Sequence, residues 1–150
     1  MKVSQCCKHD VVVASPKDDL AHAAQIMRDK HVGFLIVVES GGDRRVPIGV
    51  VTDRDIVVQV IAREVEPRNL VIGDVMTRAP VYCKETDDME DVIKRMEGAG
   101  IRRMPVVNDR GGLTGVFAID DAIMMMSKML VGIAGAVRRE QRIEREFRAA

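Results

Sequence analysis

The segment GVVTDRD, residues 49–55, places a hydroxyl, two carboxylates and a guanidinium directly after an apolar run. Such groups could hold a metal ion, bind a phosphate or cap a helix. Asp53 and Asp55 stand two residues apart, a spacing that points them in different directions on a helix and disfavours a shared magnesium ion. Thr52 and Asp55 have the Thr-x-x-Asp spacing of a capping box. The spacing alone therefore leaves two interpretations open, a helix cap and a ligand site.

Other reactive residues give no pattern that indicates catalysis. Cys6, Cys7 and His9 lie close together, but no second Cys/His cluster of the usual zinc spacing follows them, so we expect no metal site. The chain has three cysteines, an odd number that argues against a disulfide framework. No Ser-His-Asp, Cys-His or paired-carboxylate arrangement has convincing spacing. We therefore predict no catalytic residues and no enzymatic activity.

Composition excludes several further classes of protein. The sequence is 47% hydrophobic and 31% charged, which is typical of a globular chain and not of a disordered one. Its 23 basic residues equal its 23 acidic residues, so no overall charge favours nucleic acid or an anionic membrane. The longest apolar run, residues 129–137, is shorter than the roughly 20 residues that a membrane helix needs. The polar N-terminus does not resemble a signal peptide, and we expect a cytoplasmic protein.

An internal repeat indicates which elements position the GVVTDRD segment. Residues 31–38 (HVGFLIVV) match residues 100–107 (GIRRMPVV), and residues 49–55 match residues 115–121 (GVFAIDD). Before each pair of predicted strands, apolar residues with the i, i+3, i+4, i+7 spacing predict a helix with one buried face. These residues are Leu20, Ala23, Ala24 and Met27 in the first copy and Met89, Val92, Ile93 and Met96 in the second.

Each copy reads as a β-α-β-β-α unit, which predicts an α/β protein. A unit of this size is too small to bury a core comfortably alone, so we expect the two copies to pack sheet to sheet. The predicted division is a first repeat with its N-terminal segment at 1–66, a linker at 67–80, a second repeat at 81–127 and a C-terminal helical extension at 128–150. The last helix is predicted from about Asp120 to Phe147.

These features together resemble a tandem CBS-domain pair, or Bateman module, the family named for cystathionine beta-synthase. The resemblance covers Val11 to Ser127 and is carried by HVGFLIVV and IRRMPVV, by the linker sequence IGDVMT, and by GVVTDRD with its copy GVFAIDD. It implies that the cleft between the repeats binds an adenine nucleotide or a related adenosyl compound. A regulatory role in energy sensing and signal transduction is implied, with no catalysis.

The family pattern assigns the ribose to a hydroxyl residue followed three positions later by an aspartate. In the first repeat these are Thr52 and Asp55, on which we place the ribose, and the first-turn Arg54 is a candidate for phosphate. In the second repeat Ala118 replaces the hydroxyl residue, so only Asp121 of the pair remains.

The family pattern also allows a basic residue before the PVV strand to contact phosphate. The second repeat has Arg102 and Arg103 there, whereas the first has Gly33 and Phe34. The two arginines could equally pair with surface acids. The candidate nucleotide-binding residues are Thr52, Asp55, Arg54, Gly33, Phe34, Arg102, Arg103 and Asp121.

The Met-rich segment, residues 122–137, is apolar on more than one helical face, which favours a shared interface over burial within one chain. We therefore expect a homodimer, in the flat four-repeat disk that such modules often form. The expected ligand is AMP or ATP, and the expected output is a stand-alone module's signal in trans to an unidentified protein target. The alternative is a structural or dimerisation module whose clefts are degenerate and hold no nucleotide.

Overall fold

The computed structural model describes residues 1–149, apart from the side chains at positions 40 and 41. Ala150, the last residue of the predicted C-terminal extension, lies outside the described residues. Two sheets form, one from each repeat, and each sheet is packed against helices. This arrangement confirms the predicted α/β fold of two β-α-β-β-α repeats with a long C-terminal helix.

The first repeat and the linker together build a four-stranded sheet in the order β1-β2-β3-β4, in which the linker supplies β4. Strand β1 runs parallel to β2, whereas β3 is antiparallel to both β2 and β4. The elements are β1 (Val13–Ala14), α1 (Leu20–Lys30), β2 (Phe34–Gly41), β3 (Arg44–Thr52), α2 (Asp53–Ile56) with a π-helical turn (Val57–Ile61), a 3-10 turn (Pro67–Asn69), α3 (Ile72–Val75) and β4 (Thr77–Arg78).

The second repeat builds a three-stranded sheet in the order β5-β6-β7. Its parallel and antiparallel pairs repeat those of β1, β2 and β3. The elements are β5 (Cys83–Lys84), α4 (Met89–Ala99), β6 (Arg103–Val107), β7 (Leu113–Ala118) and α5 (Ile119–Arg148). Strands β3 and β7 contact each other and so connect the two sheets.

The apolar stripes of the two repeat helices face their cores, as their spacing predicts. Leu20, Ala23 and Met27 of α1 are buried, although Ala24 at the margin of the stripe is exposed. Both helices end in a residue of left-handed conformation, His31 after α1 and Gly100 after α4. That conformation stops a helix and turns the chain into the next strand.

The N-terminal arm, residues 1–10, packs against the second repeat and not against the first. Its short 3-10 turn buries Val3 completely in the second core. The backbone of Lys8 forms an antiparallel bridge with Val116 of β7. The linker before the second repeat packs against the first repeat instead. Ile72 of this linker is fully buried in the first core, and its N–H donates to the carbonyl of Asp18 at 2.9 Å.

This crossing explains why both GVV-type segments begin with glycine. A Cβ on Gly49 would lie 2.6 Å from the Met76 sulfur, and one on Gly115 would lie 2.7 Å from the Lys8 carbonyl oxygen. The crossing chain therefore lies directly over each glycine, and a side chain would displace it.

The predicted domain boundaries at residues 66, 80 and 127 stay a prediction.

Helix α5 is 30 residues long, and Ala122 is its only residue classed as buried among residues 119–148. The remaining apolar residues of the helix leave large side chains in solvent. We call the following set the apolar surface of α5: Ile123, Met124, Met126, Met129, Leu130, Val131, Ile133, Val137, Ile143 and Phe147, each at least 41% exposed. Within residues 1–149, none of the helices has the combined length and hydropathy to cross a bilayer.

Candidate functional site

A cavity of about 270 Å³ lies between the two repeats. The first repeat contributes the residues that lead into β1 and β2, the second contributes the junction of β7 with α5, and the N-terminal arm closes one side. The lining residues are Lys8, Asp10, Val11, Val12, His31, Val32, Gly33, Phe34, Arg103, Val116, Ala118, Asp120 and Asp121.

Asp121 lies in the first turn of α5 and carries the least satisfied polar group of this cavity. Its Oδ1 lies 2.8 Å from Lys8 Nζ, while its Oδ2 is shielded from solvent and accepts no hydrogen bond from residues 1–149. Ala118, the N-cap residue of α5, has no side chain with which to cap the helix. An unpaired buried acceptor costs about 1–3 kcal/mol.

Lys8 reaches Asp121 from the N-terminal arm. Its backbone is fixed on β7, because the Lys8 N–H donates to the Val116 carbonyl at 2.9 Å and the Val116 N–H donates back at 2.8 Å. The Lys8 side chain is 68% exposed, whereas that of Asp121 is only 16% exposed. A fixed backbone with a free side chain lets the ammonium leave Asp121 without movement of the arm.

The two consecutive arginines of the second repeat share one carboxylate. Arg102 donates to Asp120 Oδ1 at 3.0 Å, and Arg103 lies 3.8 Å from Asp120 Oδ2. Of these two arginines only Arg103 lines the cavity, together with Asp120 itself. The pairing with a surface acid that the sequence left open is therefore present, and it holds one guanidinium at the cavity wall.

The first repeat presents backbone and an aromatic ring where the second presents these arginines. Phe34 pairs with Thr52 in the same register in which Arg103 pairs with Ala118. A Cβ on Gly33 would lie 2.6 Å from the Asp53 carboxylate, so this carboxylate fills the place of a side chain. Phe34 therefore gives this wall of the cavity an aromatic side chain where the second repeat has Arg103.

Thr52 and Asp55 form the capping box that their spacing predicts. The Thr52 hydroxyl and the Thr52 N–H both donate to Asp55 Oδ2 at 2.8 Å. Arg54 is exposed beside them, and its N–H donates to the Asp53 side chain. None of these residues lines the cavity described above.

The N-terminal cysteines lie in the arm that closes one side of the cleft. Cys7 Sγ lies 3.9 Å from His9 Nε2, and the other ring nitrogen of His9 lies 2.9 Å from the Thr114 carbonyl. Burial raises the pKa of both the Cys6 and Cys7 thiols. In the described part of the chain, no three His, Cys, Asp or Glu side chains cluster as metal ligands.

Of the candidate residues from the sequence, the structure brings together Gly33, Phe34, Arg103 and Asp121. Thr52, Arg54, Asp55 and Arg102 lie outside this cavity. Sequence reasoning missed Lys8 and the apolar wall formed by residues 11–12. The repeat could have predicted a role for the arm. The 69-residue offset that aligns Leu20 with Met89 also aligns VSQCCKHD in the arm with IGDVMTRA in the linker.

Comparisons with known proteins place this geometry in a family. The CBS domain family pattern matches residues 3–61 and 72–128. A CBS domain-containing protein of Bacillus subtilis, YhcV, is 34% identical over 125 residues, which cover 83% of this chain and 85% of that relative.

Two solved structures share the fold at lower identity. A CBS domain protein from Pyrobaculum aerophilum complexed with AMP has a TM-score of 0.73 at 23% identity, covering 81% of this chain and 89% of that chain. The CBS domain pair of protein MJ0100, in complex with 5'-methylthioadenosine and S-adenosyl-L-methionine, has a TM-score of 0.74 at 21% identity, covering 86% and 98%. Since the family pattern spans both repeats and the repeats pack as a pair, this chain belongs to the CBS-domain family as a tandem CBS pair.

Proposed function

We propose that this chain is a regulatory CBS pair that binds an adenine nucleotide in the inter-repeat cleft and signals its occupancy to a partner protein. One observation supports this most strongly. Asp121 lines a cavity between the two repeats, and one of its carboxylate oxygens is buried without a hydrogen-bond donor. An aspartate accepts from both hydroxyls of a ribose, and such bonds are charge-assisted.

The rest of the lining suits an adenosine. Val11, Val12, Phe34 and Val116 line the same cavity and provide apolar surface for a base. Small-ligand sites commonly combine an apolar wall with a few placed polar groups. The two solved structures named above hold AMP in one case and two adenosyl compounds in the other. An adenosine moiety is common to all three ligands, and AMP and ATP are the expected nucleotides here.

The Thr52–Asp55 pair is the second proposed half-site, with Arg54 and Arg102 as its candidate cations. A ribose there must replace the hydrogen bonds that Asp55 now accepts from Thr52. The exchange removes part of a helix cap, which is worth about 1 kcal/mol. We therefore propose that the Asp121 cleft fills first.

Helix α5 couples the proposed site to an interface. Asp120 and Asp121 lie in its first turn, and the apolar surface of α5 follows on the same continuous helix. A ligand that contacts Asp121 can favour one packing of α5 over another, which is a population shift. The partner on this surface is proposed to be a second copy of the chain in a homodimer, with the protein target acting on the dimer in the cytoplasm.

Ligand binding should be tested by thermal denaturation and calorimetry with adenosine, AMP, ATP, 5'-methylthioadenosine, S-adenosyl-L-methionine and NAD at millimolar concentration. A ligand present at 100 times its Kd stabilises the folded state by about 2.7 kcal/mol, which gives a clear shift in Tm. Unchanged ligand after long incubation would support the proposal that the module is not an enzyme. If no compound shifts the Tm, the nucleotide-sensor proposal fails.

The exposed apolar surface of α5 favours a second candidate function, a dimerisation module with non-binding clefts. This candidate predicts a stable dimer and no response to any adenosine compound. Sedimentation velocity with and without AMP separates the two functions, because only a sensor changes its assembly or shape with ligand.

A further inference from the structure

The cations around the Asp121 cleft are all engaged with carboxylates. Lys8 pairs with Asp121 at 2.8 Å, and Arg102 and Arg103 both pair with Asp120. Lys8 and Arg103 are the lysine and arginine side chains that line the cavity, against three carboxylates, those of Asp10, Asp120 and Asp121. A triphosphate entering this cleft would therefore meet no cation that is free of an acidic partner among the lining residues.

Ribose binding would change this balance at one residue. A ribose that hydrogen-bonds to Asp121 through both of its hydroxyls needs Oδ1 as well as the unpaired Oδ2, and it therefore displaces Lys8 from Oδ1. The exposed Lys8 side chain can then turn away while its backbone stays on β7. The release frees one cation at the edge of the cleft. Arg103 stays committed to Asp120, which Arg102 also holds.

We propose that Lys8 is the specificity-determining residue of this cleft, exchanging Asp121 for the phosphate of a nucleoside monophosphate. The proposal rests on the nucleotide-binding function proposed above and selects AMP over ATP. The N-terminal arm thereby becomes part of the ligand site.

The test is calorimetry of the full chain with adenosine, AMP and ATP at fixed ionic strength. Wild type should bind AMP more tightly than adenosine and more tightly than ATP. Lys8→Gln should lower the ratio of AMP affinity to adenosine affinity about three- to tenfold, as expected for an exposed charged contact. Lys8→Arg should restore the ratio. The matched control is Lys94→Gln, which removes an exposed lysine on α4 that pairs with Glu90 and does not line the cleft.

The outcomes distinguish the two proposals. If wild type binds none of adenosine, AMP and ATP, the nucleotide-binding function itself fails. If both bind and Lys8→Gln leaves their affinity ratio at the wild-type value, the role of Lys8 is overturned while nucleotide binding stands. Tighter binding of ATP than of AMP by wild type would also overturn it. Circular dichroism of Lys8→Gln should match wild type, because the Lys8 side chain is exposed.

Discussion

Asp55 accepts two hydrogen bonds from Thr52 through a single oxygen, one from the backbone N–H and one from the hydroxyl, both at 2.8 Å. The Asp55 N–H donates back to the Thr52 hydroxyl at 3.1 Å. The corresponding carboxylate of the second repeat, Asp121, makes no such ring with Ala118 and turns to Lys8 instead. The aspartate of this pattern therefore bonds to its own helix cap in the first repeat and to the N-terminal arm in the second.

Thr52→Ala should lower the free energy of unfolding by about 1 kcal/mol, because the first turn of α2 loses its cap. Urea denaturation monitored by circular dichroism measures the change. The control is Thr86→Ala, at an exposed threonine outside the helices. Equal denaturation midpoints for Thr52→Ala and wild type would show that the cap does not contribute to the free energy of unfolding.

Asp121→Asn should weaken AMP binding about 10- to 100-fold, since a charged hydrogen bond contributes about 1.5–3 kcal/mol. Asp55→Asn should leave this affinity nearly unchanged and lower stability instead, because its carboxylate belongs to the capping box. Calorimetry with AMP on both variants is the measurement. Loss of binding in Asp55→Asn with retention in Asp121→Asn would move the primary site to the first repeat's own half-site.

The three cysteines should react with iodoacetamide in a definite order. Burial raises the pKa of the Cys83 thiol to about 12, so its reactive thiolate is scarce at pH 8. Cys6 and Cys7 are half-buried, and burial raises their pKa as well. Mass spectrometry should find Cys6 and Cys7 modified slowly in the native protein and Cys83 only after unfolding. Early modification of Cys83 would contradict its place in the second core.

Leu130→Glu and Ile133→Glu should each convert the proposed homodimer into a monomer. Both side chains belong to the apolar surface of α5, where they are 65% and 60% exposed in the single chain. A charge buried at an interface without a partner is strongly unfavourable. Light scattering after gel filtration measures the mass, and Gln141→Lys on the charged part of α5 is the control. A wild-type monomer at high concentration would refute the dimer.

Asp88 should make the docking of the N-terminal arm sensitive to acid. The hydrogen bond and charge of Lys2 lower the pKa of the Asp88 carboxyl, and the terminal amine lies 3.6 Å away. A folded-state pKa below the unfolded value stabilises the fold above the unfolded pKa, and this stabilisation disappears as pH falls through the folded pKa.

The stability difference between wild type and Asp88→Asn should therefore be larger at pH 6 than at pH 3. Urea denaturation at the two pH values measures it. Repeating the comparison in a Lys2→Gln background should shrink the difference at pH 6, since the main cause of the lowered pKa is then absent. A difference that does not vary with pH would show that the carboxylate contributes through neither partner.

Local sequence patterns were sufficient to predict much of this fold. The helical stripe of Leu20 and Met27 depends on neighbours three and four residues away, and the repeat assigned the same elements to both halves. The spacing of Thr52 and Asp55 predicted their mutual hydrogen bonds for the same reason. Helix α5 begins and ends within one residue of its predicted bounds.

The cleft could not be predicted in the same way, because it is formed by contacts between residues that are distant in the sequence. Asp121 meets Lys8, a residue more than 100 positions earlier, because the arm lies across β7. The arm itself is polar and contains a single fully buried residue, Val3. It therefore has no hydrophobic periodicity from which its packing could be predicted. A comparison of the arm with the linker at the repeat offset would have placed both Val3 and Lys8.

The exchanged packing of the arm and the linker has a consequence for how the molecule unfolds. Val3 completes the second core while Ile72 completes the first, so neither repeat as a continuous sequence contains its whole core. Cutting the chain between the repeats would leave each fragment without a buried residue that only the other supplies. The two halves should consequently unfold in a single cooperative transition. A circular permutant whose original ends are joined and whose new ends lie in the linker would still contain both complete cores.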